Sequence, residues 1–213
     1  MAGHIQSSGN LHWCTPPKIL DAVREVFGGT VDLDPASNQW SAVGAKVEYR
    51  LPSNDGLVDP WNVAGPGTRA FLNCPFGKSY MRPDRSDIIG AKQYQALRES
   101  DKTNGINLAG EYSVHTSIED WLMRCGREYL GNLCEIIAIF PSAVDTNAWQ
   151  GSGGVYDTAT LRCDLKGRVR YMGEDAKLGG PCPMPCSVVY WGKNYTDKFR
   201  QVFSKLGRVS PLR

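Results

Sequence analysis

Glu135-Ile136-Ile137-Ala138-Ile139-Phe140 is the stretch that decides the fold. Its apolar residues leave no polar face, so the strand they form must be covered on both sides, as in a parallel sheet between helices. Just upstream, Thr116-Ser117-Ile118-Glu119 reads as a capping box. Ile118, Trp121, Leu122, Cys125 and Tyr129 then recur at helical spacing, in a helix that Gly131 is expected to end. Ala70-Phe71-Leu72 is an earlier apolar run, and before it Val31-Asp32-Leu33-Asp34 reads as a short strand. Pro16-Pro17 open a helix with Ile19, Leu20, Val23, Val26 and Phe27 on one face, and Gly28-Gly29 stop it. Downstream, Arg168–Tyr171 and Ser187–Trp191 read as strands around a Gly/Pro-rich link. A last helix from Thr196 carries Phe199, Val202, Phe203 and Leu206 and is expected to be capped by Gly207. Helices alternating with apolar strands predict an open, mostly parallel α/β sheet with helices on both faces.

The 213 residues fit a single domain, and 41% apolar with 10% aromatic residues suffice for a packed core. Residues 35–68 read mostly as loop, and the polar stretch 78–115 as an irregular inserted segment. No run approaches the roughly 20 apolar residues of a membrane span. The beginning of the chain, with His4, Gln6, Ser7 and Ser8, has no signal-peptide core, so a cytoplasmic protein is expected. Seven cysteines, an odd number at uneven spacing, read as reduced thiols. Charge is unevenly spread: residues 162–213 carry eleven Lys/Arg against four Asp/Glu, while the first 161 carry 13 basic and 18 acidic side chains. A local charge of +7 on an acidic body suggests a polyanion partner, since neutralising phosphates releases counterions.

In an open α/β sheet, ligands bind beyond the carboxyl ends of the strands. Asp34, Asn73 and Pro141 all follow apolar strands and are expected at one rim. Asn73-Cys74-Pro75-Phe76 would present there an amide oxygen, a backbone carbonyl and an aromatic face, which suits holding an exocyclic amine beside an electrophile. Thr15 reads as a helix N-cap ahead of Pro16, and Asp55-Gly56 as a turn pair.

Several elements in order carry a resemblance. They are Trp13-Cys14-Thr15-Pro16, Asp32-Leu33-Asp34-Pro35-Ala36-Ser37, Asp55-Gly56-Leu57 with Trp61, Phe71-Leu72-Asn73-Cys74-Pro75-Phe76-Gly77, Phe140-Pro141-Ser142-Ala143 with Asp145-Thr146 and Trp149, and Gly167-Arg168-Val169-Arg170-Tyr171 followed by a Pro-rich turn and an apolar strand. Together they resemble the phage-type DNA N-6-adenine methyltransferase family over residues 12–77 and 117–203. The resemblance implies a Rossmann-like sheet, S-adenosylmethionine as methyl donor, and adenine in double-stranded DNA as substrate. It also implies the cytoplasm of a bacterial host as the location. It implies cofactor contacts from Trp13, Thr15, Pro16, Asp32, Asp34, Pro35, Ala36, Asp55 and Leu57, and a catalytic loop of Asn73, Cys74, Pro75 and Phe76. Cys74 replaces the first proline of the family's Asn-Pro-Pro-Tyr/Phe signature, and no Gly-x-Gly turn follows the first strand. For DNA contact the expectation is Arg82, Arg85 and Lys92 in the inserted segment and Arg168 and Arg170 in the basic third.

No metal is expected: Cys163, Cys182 and Cys186 lack Cys-x-x-Cys spacing. Gly179-Gly180-Pro181-Cys182-Pro183 resembles the Pro-Cys loop of cytosine carbon-5 methyltransferases, but without that family's Glu-Asn-Val element. Two alternatives stand beside the DNA reading. One is an amino-methyltransferase acting on RNA or protein; the other is a catalytically dead DNA-binding protein that kept the fold. The target sequence and oligomeric state are not encoded legibly.

Overall fold

The computed structural model describes residues 13–51, 53–76, 79–81, 88–90 and 115–212. Helix α1 spans Pro17–Val26, with Pro16 at its N-cap. Strand β1 is Leu33–Asp34, β2 Val47–Glu48 and β3 Arg69–Leu72. Strands β4 (Ser79–Met81), β5 (Ile88–Gly90) and β6 (His115–Thr116) lead to α2, Ile118–Asn132. Strand β7 (Glu135–Pro141) precedes two short helices, α3 (Asn147–Gln150) and α4 (Val155–Thr158). Then come β8 (Leu161–Leu165), β9 (Arg170–Met172), β10 (Leu178–Pro181), β11 (Cys186–Trp191), α5 (Thr196–Phe203) and β12 (Gly207–Pro211).

Seven strands form the central sheet in the order β12-β8-β11-β7-β3-β1-β2. The pairs β2/β1, β1/β3 and β3/β7 are parallel, and β7/β11, β11/β8 and β8/β12 antiparallel, so five of seven strands point one way. The molecule is therefore mixed α/β on a mostly parallel sheet. The period of two along each strand divides its core. Phe71, Ile137, Ile139, Val188 and Tyr190 pack under α1 and α5, while Ala70, Leu72, Ile136, Ala138, Phe140, Val189 and Trp191 pack under α2, α3 and α4. Every residue of β7 is buried, as its unbroken apolar run predicts.

Several local expectations shift. The capping box is made one residue later, by Ser117 and Asp120, because Thr116 pairs with Ser79 in β6. Gly131 does not end α2; the chain turns at Leu133, left-handed at φ 55°, whose carbonyl receives the Gly67 amide at 3.0 Å. Gly207 is not a helix cap either: it opens β12 where a Cβ would overlap the Asp164 carbonyl of β8. The expected strand Val31–Asp34 keeps only Leu33 and Asp34. The segment 78–115 is not wholly irregular. Strands β5, β4 and β6 form an antiparallel sheet in that order, with Ser79 opposite Thr116, so the segment leaves and rejoins the domain side by side. Among the described residues no helix is long and apolar enough to cross a membrane. No group of three or more His, Cys, Asp or Glu among them could hold a metal ion.

Candidate functional site

From β1 the chain passes outward to β2, then returns across β1 to β3 and on to β7. Connections thus leave β1 and β3 in opposite directions, which opens a crevice at their carboxyl ends. Asp34 closes β1 and Asn73 follows β3, so the two flank that crevice. Residues preceding α1 form the third wall. Trp13, Thr15, Asp34, Ala36 and Asn73 line one cavity with about 20 Å³ of room for a water-sized group, roughly what one water needs.

Two polar groups in the cavity are poorly compensated. Asp34 is 3% exposed and accepts the Ala36 amide at 3.2 Å and the Ser41 hydroxyl at 3.0 Å, with the Ser37 hydroxyl a weaker third donor. No Lys or Arg among the described residues pairs with it, and burial pushes its carboxyl up to about 7. Thr15 is also 3% exposed, and its Oγ1 has no partner among the described residues. The expected N-cap role is absent, because Pro16 caps α1 without a side-chain bond, and the hydroxyl stays buried in a residue that lines the cavity. A buried hydroxyl without a partner and a desolvated carboxylate both cost free energy, which a ligand carrying hydrogen-bond donors would recover.

The loop after β3 turns its parts to different surroundings. Asn73 donates its Nδ2 to the Trp13 carbonyl at 3.1 Å, so its oxygen faces the other way. The Cys74 side chain is buried in the core cluster of Leu72, Trp121, Leu122 and Cys125, and burial pushes its thiol up to about 12. It is therefore no nucleophile, and only its backbone is left for chemistry. Pro75 and Phe76 are half-buried, and the Phe76 ring stands edge-on to Tyr171, centroids 5.5 Å apart at 74°. Tyr171 in turn donates to Cys186 Sγ at 3.7 Å.

Not every expected contact enters the cavity. Pro16 and Pro35 adjoin it without lining it. Asp55 is buried, accepting the Leu57 amide at 2.9 Å, and the Arg124 guanidinium fixes this loop through the carbonyls of Leu57 and Asp59, each at 2.8 Å. Gly56 lies so close to Pro35 that a Cβ would overlap its carbonyl. Asp55 and Leu57 thus stand behind the Asp34–Pro35 turn rather than in the cavity. Asp32 is not brought into it at all. Its carboxylate takes Nε and Nη2 of Arg69 at 2.8 and 2.9 Å and Lys46 Nζ at 2.9 Å. Those cations hold it well below the usual carboxylate range. Arg69→Ala, which leaves this carboxylate buried and without its main partner, is expected to cost about 3 kcal/mol in urea unfolding. The lowered pKa means that Asp32 stabilises the fold above pH 3.8 and loses that contribution as pH falls below it.

Arg168 and Arg170 are exposed, donating to Pro183 O and Gly179 O, each at 2.9 Å. Arg170 opens β9 and Arg168 lies two residues before it; β9 pairs with β10 and is bridged to Cys14, which lines the cavity. Arg82, Arg85 and Lys92 lie outside the described residues. Sequence reasoning passed over Asn38 and Ser41, which line the cavity, and gave no site role to Tyr171, which braces Phe76. The signal available was the polar loop Ser37-Asn38 directly after the acidic strand end. Compared with family models, with curated proteins and with solved structures, the chain matches none.

Proposed function

We propose that this chain is an S-adenosylmethionine-dependent DNA methyltransferase with a Rossmann-like sheet, acting on the N6 amine of an adenine flipped out of the duplex. One observation carries the reading: Asp34 and the Thr15 hydroxyl, which has no partner among the described residues, share a switch-point cavity with the Asn73 amide. The residues fit the cofactor. Asp34 and Thr15 would take its ammonium and hydroxyl hydrogens, and charge-assisted bonds of this kind are the stronger ones. When bound, the cofactor supplies a methyl group made electrophilic by its sulfonium.

The chain's own residues hold the acceptor amine. With Nδ2 committed to Trp13, the Asn73 oxygen accepts one amine hydrogen, and the Cys74 carbonyl accepts the other. Both draw the nitrogen lone pair out of ring conjugation, both strengthen as the amine becomes positive on gaining the methyl, and the surplus proton then leaves to water. Phe76, braced by Tyr171, offers its ring for stacking on the extruded base. Positioning alone can replace ~7–11 kcal/mol of barrier in the best intramolecular cases. Burial of the Cys74 side chain in the core supports a working loop, since packing holds it where the family has a proline.

Transfer of label from S-adenosylmethionine to duplex DNA, to RNA and to protein tests the reading. Label in duplex DNA, at N6 of adenine, is expected; label only in RNA or protein would move the substrate, and none anywhere would overturn the enzyme. Arg168→Ala is expected to weaken duplex binding about equally for all sequences and to lower the salt slope by about 1. A loss confined to one base position, seen in binding isotherms on variant sites, would contradict a phosphate contact.

A further inference from the structure

The segment before α1 is held from two directions. Its backbone is bridged to β9: the Cys14 amide donates to Met172 O and the Met172 amide to Cys14 O, both at 2.9 Å. The Trp13 ring lies on Gly179 of β10, where a Cβ would stand 2.6 Å from Cζ3 and 2.9 Å from Cη2 of the indole. On its other side, the Trp13 carbonyl receives the Asn73 side-chain amide. A primary amide has one donor end and one acceptor end. Whatever fixes the acceptor for its nitrogen therefore fixes where its oxygen points. That acceptor is a backbone carbonyl whose place is set by the bridge to Met172 and by the seat of its own ring.

We propose that Gly179 and Trp13 are positioning residues for the Asn73 amide: the β9–β10 ribbon seats the indole, and the seated segment aims the amide oxygen at the substrate amine. The inference rests on the methyltransferase reading. Glycine is required at this point because any side chain would lift the indole off the ribbon. The two overlapping atoms are the far edge of the Trp13 side chain, and the Tyr171 carbonyl oxygen is a milder third contact at 3.2 Å, so moving Trp13 relieves most of the overlap. Displacements of about 1 Å in a reacting constellation cost up to ~100-fold in rate.

Methyl transfer to duplex DNA by the full chain, with thermal unfolding alongside, tests this on four variants. Gly179→Ala is expected to lower kcat at least about tenfold while the KM for duplex stays within about twofold. Trp13→Phe, which leaves a gap over Gly179, is expected to lower kcat as well. The double variant, in which the added methyl fills the gap, is expected to recover at least ~3-fold over Gly179→Ala, a coupling that separate structural damage would not produce. Gly180→Ala, whose Cβ meets nothing within 4 Å, should keep the wild-type kcat.

The proposal is overturned if Gly179→Ala keeps kcat within twofold, if Gly180→Ala falls equally, or if the double variant is worse than both single ones. Should Gly179→Ala fail to fold, the double variant, which relieves the overlap, decides against Trp13→Phe alone. A wild-type protein that methylates no nucleic acid sinks the methyltransferase reading and this inference together. An active wild type with an unaffected Gly179→Ala sinks this inference only.

Discussion

Replacing Asn73 by alanine is expected to leave less than about 1% of methyl transfer while cofactor affinity stays within about twofold. The loss corresponds to about 2.7 kcal/mol of transition-state stabilisation, the scale of removing one acceptor or donor aimed at developing charge. Cofactor affinity is spared because the groups assigned to the cofactor are Asp34 and the Thr15 hydroxyl, on the other walls of the cavity. Initial rates on duplex DNA and calorimetric titration with S-adenosylmethionine separate the two quantities. A variant keeping a tenth of the wild-type turnover would show that the amide oxygen is not the acceptor that matters. Loss of cofactor binding in step with turnover would place Asn73 in the cofactor site instead.

Asp34→Asn is expected to act in opposite directions on binding and on stability. The carboxyl titrates near 7 in the folded protein against 3.8 ordinarily, with burial as the cause. The unfolded chain therefore gives up this proton first, and stability falls as pH rises from about 4 to about 7. Above 7 the full penalty is in force, about 4 kcal/mol for a difference of this size. Asparagine removes it, so the variant's Tm at pH 8 is expected to rise by ~5 °C or more, with little difference at pH 4. Cofactor affinity should meanwhile drop roughly 10- to 100-fold through loss of a charge-assisted bond. In the wild type, binding of a cationic group should strengthen as pH rises through 7, because the ionised carboxylate is the binding form. Thermal melts at both pH values and titrations from pH 6 to 8 check this. Equal Tm changes at pH 4 and 8, or a flat affinity profile in the wild type, would remove Asp34 from the cofactor site.

The elements most legible in the sequence were those whose stability is local or whose burial is total. The run through Ile136–Phe140 admitted one reading because an all-apolar strand has nowhere to stand but between two layers. Helix α1 was bounded by Pro16-Pro17 and Gly28-Gly29, whose backbone restrictions act within a turn. Strand β8 was missed although Leu161, Cys163 and Leu165 alternate, since five residues with Arg162 and Asp164 among them stand out little until β11 and β12 pair on either side. The cap of α2 was displaced by one residue because Thr116 was claimed by a strand pairing with Ser79. In each case a partner distant in the chain outweighed a propensity worth about 1 kcal/mol.

An α/β chain with Asp34 and Asn73 at the far ends of apolar strands was legible locally, because apolar periodicity and the Gly and Pro that break it are written residue by residue. Which acidic residue faces the cavity was settled by contacts between distant segments. Asp32 is taken by Arg69, far along the chain, while Asp34 is left buried with neutral donors alone. The same holds for the Thr15 hydroxyl, the Cys74 thiol and the seat of Trp13 on Gly179. Solvent exclusion and ion pairing depend on which distant segments meet, and no local pattern carries that information.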